Sequence, residues 1–161
     1  MSRPSLSRRN RVLAVAVAAA LLAGACGGSE EGAAEFAEGY RKATQDFQTR
    51  TESIKTAASA GGGSVESILS VYEDILESTR LATGEYAELK APPSFEDTFA
   101  GVVTSLEGQV GALESLIESA QENDVAQTDQ ATRDLAQLMA DWQAAVTEMN
   151  ELLAACGECG E

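Results

Sequence analysis

The chain has no histidine and few basic residues, and each shortage excludes a class of protein. Without histidine it cannot build a histidine-based catalytic triad, an HExxH zinc site or a Glu-x-x-His di-iron bundle. Its 161 residues include 11 basic and 26 acidic ones, a net charge of −15. Nucleic-acid binding requires Lys and Arg to neutralise phosphates. We therefore expect no nucleic-acid partner, no cofactor and no enzymatic activity.

Proline is also scarce, and no stretch shows the alternation of polar and apolar residues that is typical of a strand. Hydrophobic residues make up 44% of the chain, too many for a disordered protein. A chain of 161 residues is long enough for one domain of ordinary size. The sequence therefore predicts a single folded domain without β-sheet.

The first 25 residues combine a basic start with a short apolar run. Four arginines and no acid precede residues 12–25, an apolar run of 14 residues. A membrane-spanning helix needs about 20. A basic start, a short apolar middle and small residues at the end are typical of an export signal. We expect residues 1–25 to be a signal peptide that is removed.

The end of this segment carries a recognisable motif. Leu22-Ala23-Gly24-Ala25-Cys26 resembles the lipobox of bacterial lipoprotein precursors, although Leu is commoner at the position of Ala23. The resemblance implies that Cys26 is acylated on sulfur and becomes the first residue of the mature protein. It also implies anchorage at the outer face of the bacterial cytoplasmic membrane, but it covers only the signal and Cys26. The alternative is a soluble secreted protein, cut near Ala25 by ordinary signal peptidase.

The mature chain would be strongly acidic. Removal of residues 1–25 leaves 7 basic and 26 acidic groups, a net charge of −19. Anionic headgroups repel such a surface, so the lipid would hold a body that itself stays off the membrane. We expect residues 26–32 to be the lipidated Cys26 and a flexible tether, residues 33–157 to be a helical bundle, and residues 158–161 to be a tail.

Apolar residues recur every three or four positions along four consecutive segments, 33–60, 64–90, 94–120 and 124–156. Ser64, Ser94 with Asp97, and Asp124 with Gln127 are expected to cap the later three. Short loops force neighbouring helices to run antiparallel, which predicts an up-down-up-down four-helix bundle. Two long hairpins that pair with another chain are the alternative.

The apolar seam of the second segment is the most regular. Its members alternate in steps of 3 and 4 without a break, which predicts that they face the bundle core along the whole helix. They are Val65, Ile68, Tyr72, Ile75, Thr79, Ala82, Tyr86 and Leu89.

Cys156 and Cys159 form a CxxC motif at the predicted end of the fourth helix. Such a motif is found in redox catalysts, in half-sites for zinc and in structural disulfides. A helix C-terminus and neighbouring acids disfavour a thiolate, and a zinc site would need ligands from a second chain. A local disulfide in an oxidising compartment is therefore the favoured interpretation.

Four large aromatic residues, Tyr40, Tyr72, Tyr86 and Trp142, fall on the predicted seams. We expect them in the core, with a pocket between helices as the alternative. Rows of acids at 73, 74, 77 and at 114, 118, 122 predict a solvated face, or else a site for a basic partner or a loosely held divalent cation.

These features lead to two hypotheses about function. The first is a lipid-anchored, extracytoplasmic helical bundle that acts as a non-enzymatic interaction or scaffold module. The alternative is a binding protein that holds a small apolar or cationic ligand between its helices.

Overall fold

The computed structural model describes residues 32–60 and 64–156, and all regular structure in these ranges is α-helical. The helices are α1 (Ala33–Ala60), α2 (Val65–Ala87), α3 (Glu96–Glu122) and α4 (Val125–Ala155). Each helix packs against the next along the chain, and neighbours run antiparallel. The predicted all-α four-helix bundle is confirmed. The predicted signal peptide, most of the tether and the tail lie outside the described residues.

Side chains cap two of the helices at the predicted positions. The Ser64 hydroxyl accepts a hydrogen bond from the Ser67 N–H at 3.2 Å. The Asp124 carboxylate accepts one from the Gln127 N–H at 3.0 Å. Each bond satisfies a backbone donor that has no partner within its helix, which fixes the starts of α2 and α4.

The start of α3 differs from the prediction. The helix begins at Glu96 with Phe95, whose side chain makes no capping hydrogen bond, in the N-cap position, so the prediction that Ser94 is the N-cap of a capping box with Asp97 was wrong. The Phe95 N–H instead donates to the Pro92 carbonyl at 2.9 Å, and the Phe95 ring is buried. Burial of this ring in the core outweighs the local preference for a serine cap.

The alternation of direction defines two ends of the bundle. At one end lie the start of α1, the segment that links α2 to α3, and the end of α4; we call it the Ala33 end. At the other lie the starts of α2 and α4 and the end of α3; we call it the Val125 end. Ala33, which follows Cys26 by seven residues in the sequence, begins α1 at the first of these ends.

Most of the buried core lies at the Ala33 end. A large cluster there draws residues from all four helices, and a small second cluster joins α2 to α3 further along. The large cluster contains Ala33, Phe36, Ala37, Tyr40, Ala43, Phe47, Ala82, Tyr86, Phe95, Phe99, Val102, Leu106, Val146, Met149 and Leu153. The small one contains Leu76, Leu113 and Ile117.

Burial is lost toward the Val125 end along the hairpin of α1 and α2. Phe47 is the last buried residue of α1 up to residue 59, and Leu76 is the first buried residue of α2. Val65 is 67% exposed and Ile68 48% exposed. The prediction that the α2 seam is in the core along its whole length was therefore wrong over the first two turns.

One glycine sets the distance between α3 and α4. A Cβ atom at Gly108 would lie 2.7 Å from the Leu138 Cδ2 atom, whereas one at Gly111 would meet no atom of the described residues within 4 Å. Gly108 therefore lets α4 approach α3 closely. Gly111 has no such contact to explain its presence in the helix.

Candidate interaction surface

The predicted lipidation site and half of the CxxC motif cannot be placed in the fold. Cys26 and Cys159 lie outside the described residues. Cys156 follows the last residue of α4 and is disulfide-bonded. An acylated Cys26 has no thiol to share, so the pairing of Cys156 with Cys159 stays our prediction.

The aromatic residues of the Ala33 end form one stacked group. Phe36 packs edge-on against Phe99 with ring centroids 5.1 Å apart and stacks on Phe95 at 5.6 Å. Tyr40 and Tyr86 meet edge-to-face at 5.7 Å. Both tyrosines are fully buried, so these two predicted candidates for a ligand pocket are core residues.

A buried hydroxyl network holds this group to α1. The Thr44 hydroxyl lies 2.8 Å from the Tyr40 carbonyl oxygen and 2.7 Å from the Tyr86 hydroxyl. A threonine has one proton to donate. Since the carbonyl can only accept, Thr44 donates to it and Tyr86 donates to Thr44.

Burial changes the acidity of both tyrosines. It raises the pKa of Tyr86 to about 12, although the hydrogen bond to Thr44 acts in the opposite direction. Burial and the neighbouring Tyr86 raise the pKa of Tyr40 well above its usual value. The Tyr40 hydroxyl has no hydrogen-bond partner in the described part of the chain. Both side chains are therefore neutral at physiological pH and unsuited to act as bases.

The other two aromatic candidates lie elsewhere. Trp142 packs edge-on against Phe47 at 5.4 Å and so connects α4 to α1. Its indole N–H is buried and has no hydrogen-bond partner among the described residues. Tyr72 is half-buried beside the small α2–α3 cluster. The four candidates therefore do not border one cleft.

Arg50 interrupts the apolar seam of α1 just beyond the large cluster. Its guanidinium donates two hydrogen bonds to the Glu85 carboxylate, at 2.9 and 2.8 Å. These bonds raise the pKa of Arg50 above its ordinary value. A half-exposed, doubly bonded pair of this kind ties α1 to α2 where the large core ends.

The described surface includes open hollows, of which two are well defined. One, of about 590 Å³, lies on α1 beside Gln48 and Glu52. The other, of about 510 Å³, lies between α3 and α4 and is lined by glycines, glutamines and other mainly small or polar residues. None of the four aromatic candidates lines either hollow, which gives no support to an aromatic ligand site.

Exposed apolar side chains mark the Val125 end more than any other region of the described surface. Val125 is 73% exposed at the start of α4, and Val65 and Ile68 are exposed at the start of α2. Sequence periodicity identified Val65 and Ile68 as core-facing but gave no sign that they lack a cover. The adjacent run of three glycines, residues 61–63, was the available signal of a weakly packed end.

The predicted acidic rows remain on the surface. In the second row, Glu114 receives a hydrogen bond from Arg80 at 2.6 Å. No group of three potential metal ligands occurs within the described ranges. Nor does any described helix have the length and apolar character needed to cross a membrane.

Comparisons with protein-family models, with curated proteins and with solved structures find no match to this chain.

Proposed function

We propose that this protein is a lipid-anchored, extracytoplasmic interaction module without enzymatic activity. An acyl group on Cys26 holds the bundle at the outer face of the bacterial cytoplasmic membrane. The acidic body stands off the headgroups and meets a protein partner. Stable anchoring needs more than one acyl chain, and bacterial lipoproteins, which the signal resembles, carry several.

The observation that carries the proposal is the asymmetry of the bundle. The packed core lies at the Ala33 end, next to the proposed anchor, and exposed apolar side chains gather at the opposite end. Seven chain steps from Cys26 to Ala33 span at most about 25 Å. The tether thus supports an arrangement in which the Val125 end is presented away from the membrane.

The positions of the aromatic residues do not favour the alternative function, a carrier of a small ligand. Tyr40 and Tyr86 are enclosed by the core, and Tyr72 belongs to a different cluster from Trp142. A ligand pocket would instead require convergent polar groups around one apolar cavity.

Chemical crosslinking in intact cells tests the proposal. We expect the full chain to form discrete heavier species, and Cys26→Ser to lose most of them because the protein is no longer concentrated at the membrane. The double variant with Cys156→Ser and Cys159→Ser, which keeps Cys26 and leaves no unpaired thiol behind, is the matched control and should behave as the wild type. A wild-type protein that remains monomeric would contradict the interaction, and an unchanged pattern in Cys26→Ser would contradict the anchor.

A further inference from the structure

The two helical hairpins are packed differently at the Val125 end. In the α1–α2 hairpin, none of residues 48–59 and 64–75 is buried. In the α3–α4 hairpin, buried side chains continue into the same end of the bundle. They are Leu113, Leu116, Ile117, Ser119 and Ala131. A helix in a folded protein is stabilised mainly by the packing of its apolar face. Residues 51–59 and 65–71, which we call the α1–α2 tip, therefore lack most of this support among the described residues.

The side chains of α1 near the tip weaken the helix further. Five hydroxyls there donate to the backbone carbonyl four residues earlier, at distances of 2.8 or 2.9 Å. The donors are Thr49, Thr51, Ser53, Thr56 and Ser59. Such bonds slightly destabilise a helix, and serine and threonine are weaker helix formers than alanine. This part of α1 thus combines low intrinsic helix stability with little burial.

An ion pair stands at the base of the tip. Arg50 of α1 makes two hydrogen bonds to Glu85 of α2, and both side chains are partly exposed. One turn before Arg50, Phe47 is buried and packs against Trp142. A bidentate pair of arginine and carboxylate holds its two helices in a defined geometry. Arg50 therefore marks the point at which α1 passes from a packed helix to an unsupported one.

We propose that the α1–α2 tip opens as a local unit, by loss of helical structure, while the rest of the bundle stays folded. The pair of Arg50 and Glu85 is the clasp at which the opening stops. Local opening of this kind occurs where few apolar contacts are buried and the backbone hydrogen bonds face solvent. One end of the bundle can then change shape without unfolding of the large core. This property does not depend on acylation of Cys26.

Native-state hydrogen exchange tests the opening, read at single residues by NMR on the full mature protein from isotope-labelled host cells. The other hairpin supplies a comparison in which each amide lies equally far from its helix end: residues 113–121 match 51–59, and residues 129–131 match 69–71. We expect the tip amides to exchange about tenfold faster or more than their counterparts. Low concentrations of urea should accelerate exchange in the large core but hardly at the tip, because a local opening exposes little surface.

A pair of alanine variants tests the part that helix instability plays. Ser53→Ala combined with Thr56→Ala should slow exchange at the tip about fivefold, because alanine is the better helix former. The matched control combines Thr132→Ala with Thr147→Ala, which removes two exposed hydroxyls of α4 that make the same bond at 2.8 Å. This control should leave exchange at the tip unchanged.

Two single variants test the clasp. Glu85→Gln should let the opening extend toward Phe47, so that the amides of residues 48–50 exchange about fivefold faster. Glu114→Gln is the matched control, because it breaks the other ion pair between neighbouring helices, that of Arg80 and Glu114. It should leave the exchange of residues 48–50 unchanged.

Three results would overturn the proposal. Equal exchange in the two hairpins would contradict a local opening of the α1–α2 tip. Equal slowing by the two double alanine variants would show that the tip exchanges only when the whole bundle unfolds. Equal effects of Glu85→Gln and Glu114→Gln on residues 48–50 would refute the clasp.

Discussion

At the residue scale, the hydroxyl of Thr44 satisfies two buried groups at once. It donates to the Tyr40 carbonyl and accepts from the Tyr86 hydroxyl. A buried hydroxyl that is left without its hydrogen-bond partner lowers the stability of the fold more than the removal of both partners does. Replacement of Thr44 and replacement of Tyr86 should therefore lower stability by different amounts, which makes the network testable.

Thr44→Val should therefore destabilise the fold by about 1–3 kcal/mol, because it strands the Tyr86 hydroxyl in the core. Tyr86→Phe should cost less, about 0.5–1.5 kcal/mol, since Thr44 keeps its bond to the carbonyl. The free energy of unfolding in urea measures both. Thr132→Val is the matched control: its hydroxyl makes the same bond, 2.8 Å to the Thr128 carbonyl, on an exposed face. Equal losses at Thr44 and Thr132 would contradict the network.

The raised tyrosine pKa predicts a loss of stability in alkali. An unfolded chain loses the Tyr86 proton near pH 10, whereas the folded chain keeps it until about 12. Between these values the unfolded state binds fewer protons, so stability falls as pH rises, and it is unaffected by this group below pH 10. One tyrosine contributes at most about 1.4 kcal/mol per pH unit. Tyr86→Phe should flatten the decline measured by urea unfolding at about pH 9, 10, 11 and 12. An equally steep decline in that variant would refute the assignment.

At the element scale, periodicity predicted the helices well because each carries its own apolar stripe. The first segment, 33–60, coincides with α1, and the cap residues Ser64 and Asp124 are where the sequence put them. The start of α3 was missed because the burial of Phe95, a tertiary contact, overrides local capping. The exposure of Val65 was missed because a periodic pattern shows which face is apolar and not whether anything covers it.

The two α3 glycines give a prediction for a single helix. Gly111→Ala should stabilise the protein by about 0.5–1 kcal/mol, because alanine is the better helix former and its Cβ meets open space. Gly108→Ala should stabilise the protein clearly less than Gly111→Ala, or destabilise it, because the new Cβ atom displaces the Leu138 side chain. Thermal unfolding of the two variants compares them directly. A larger gain at Gly108 than at Gly111 would contradict the close approach of α3 and α4.

At the scale of the whole molecule, the two ends of the bundle differ in how well they are packed. Its packed end adjoins the proposed anchor, and its other end carries the exposed side chains of Val65, Ile68 and Val125. The fold class followed from the sequence because four stripes must be buried together. The difference between the two ends could not be predicted from the sequence, because it depends on how far the helices of one hairpin cover those of the other.

The central claim is that this bundle is held at a membrane through Cys26, and the intact mass of the protein extracted from host membranes tests it most directly. We predict that the mature chain begins at Cys26 and that its mass exceeds that of residues 26–161 by covalently attached acyl groups, located on Cys26 by fragmentation. An unmodified chain, or one that begins at any other residue, would contradict the account.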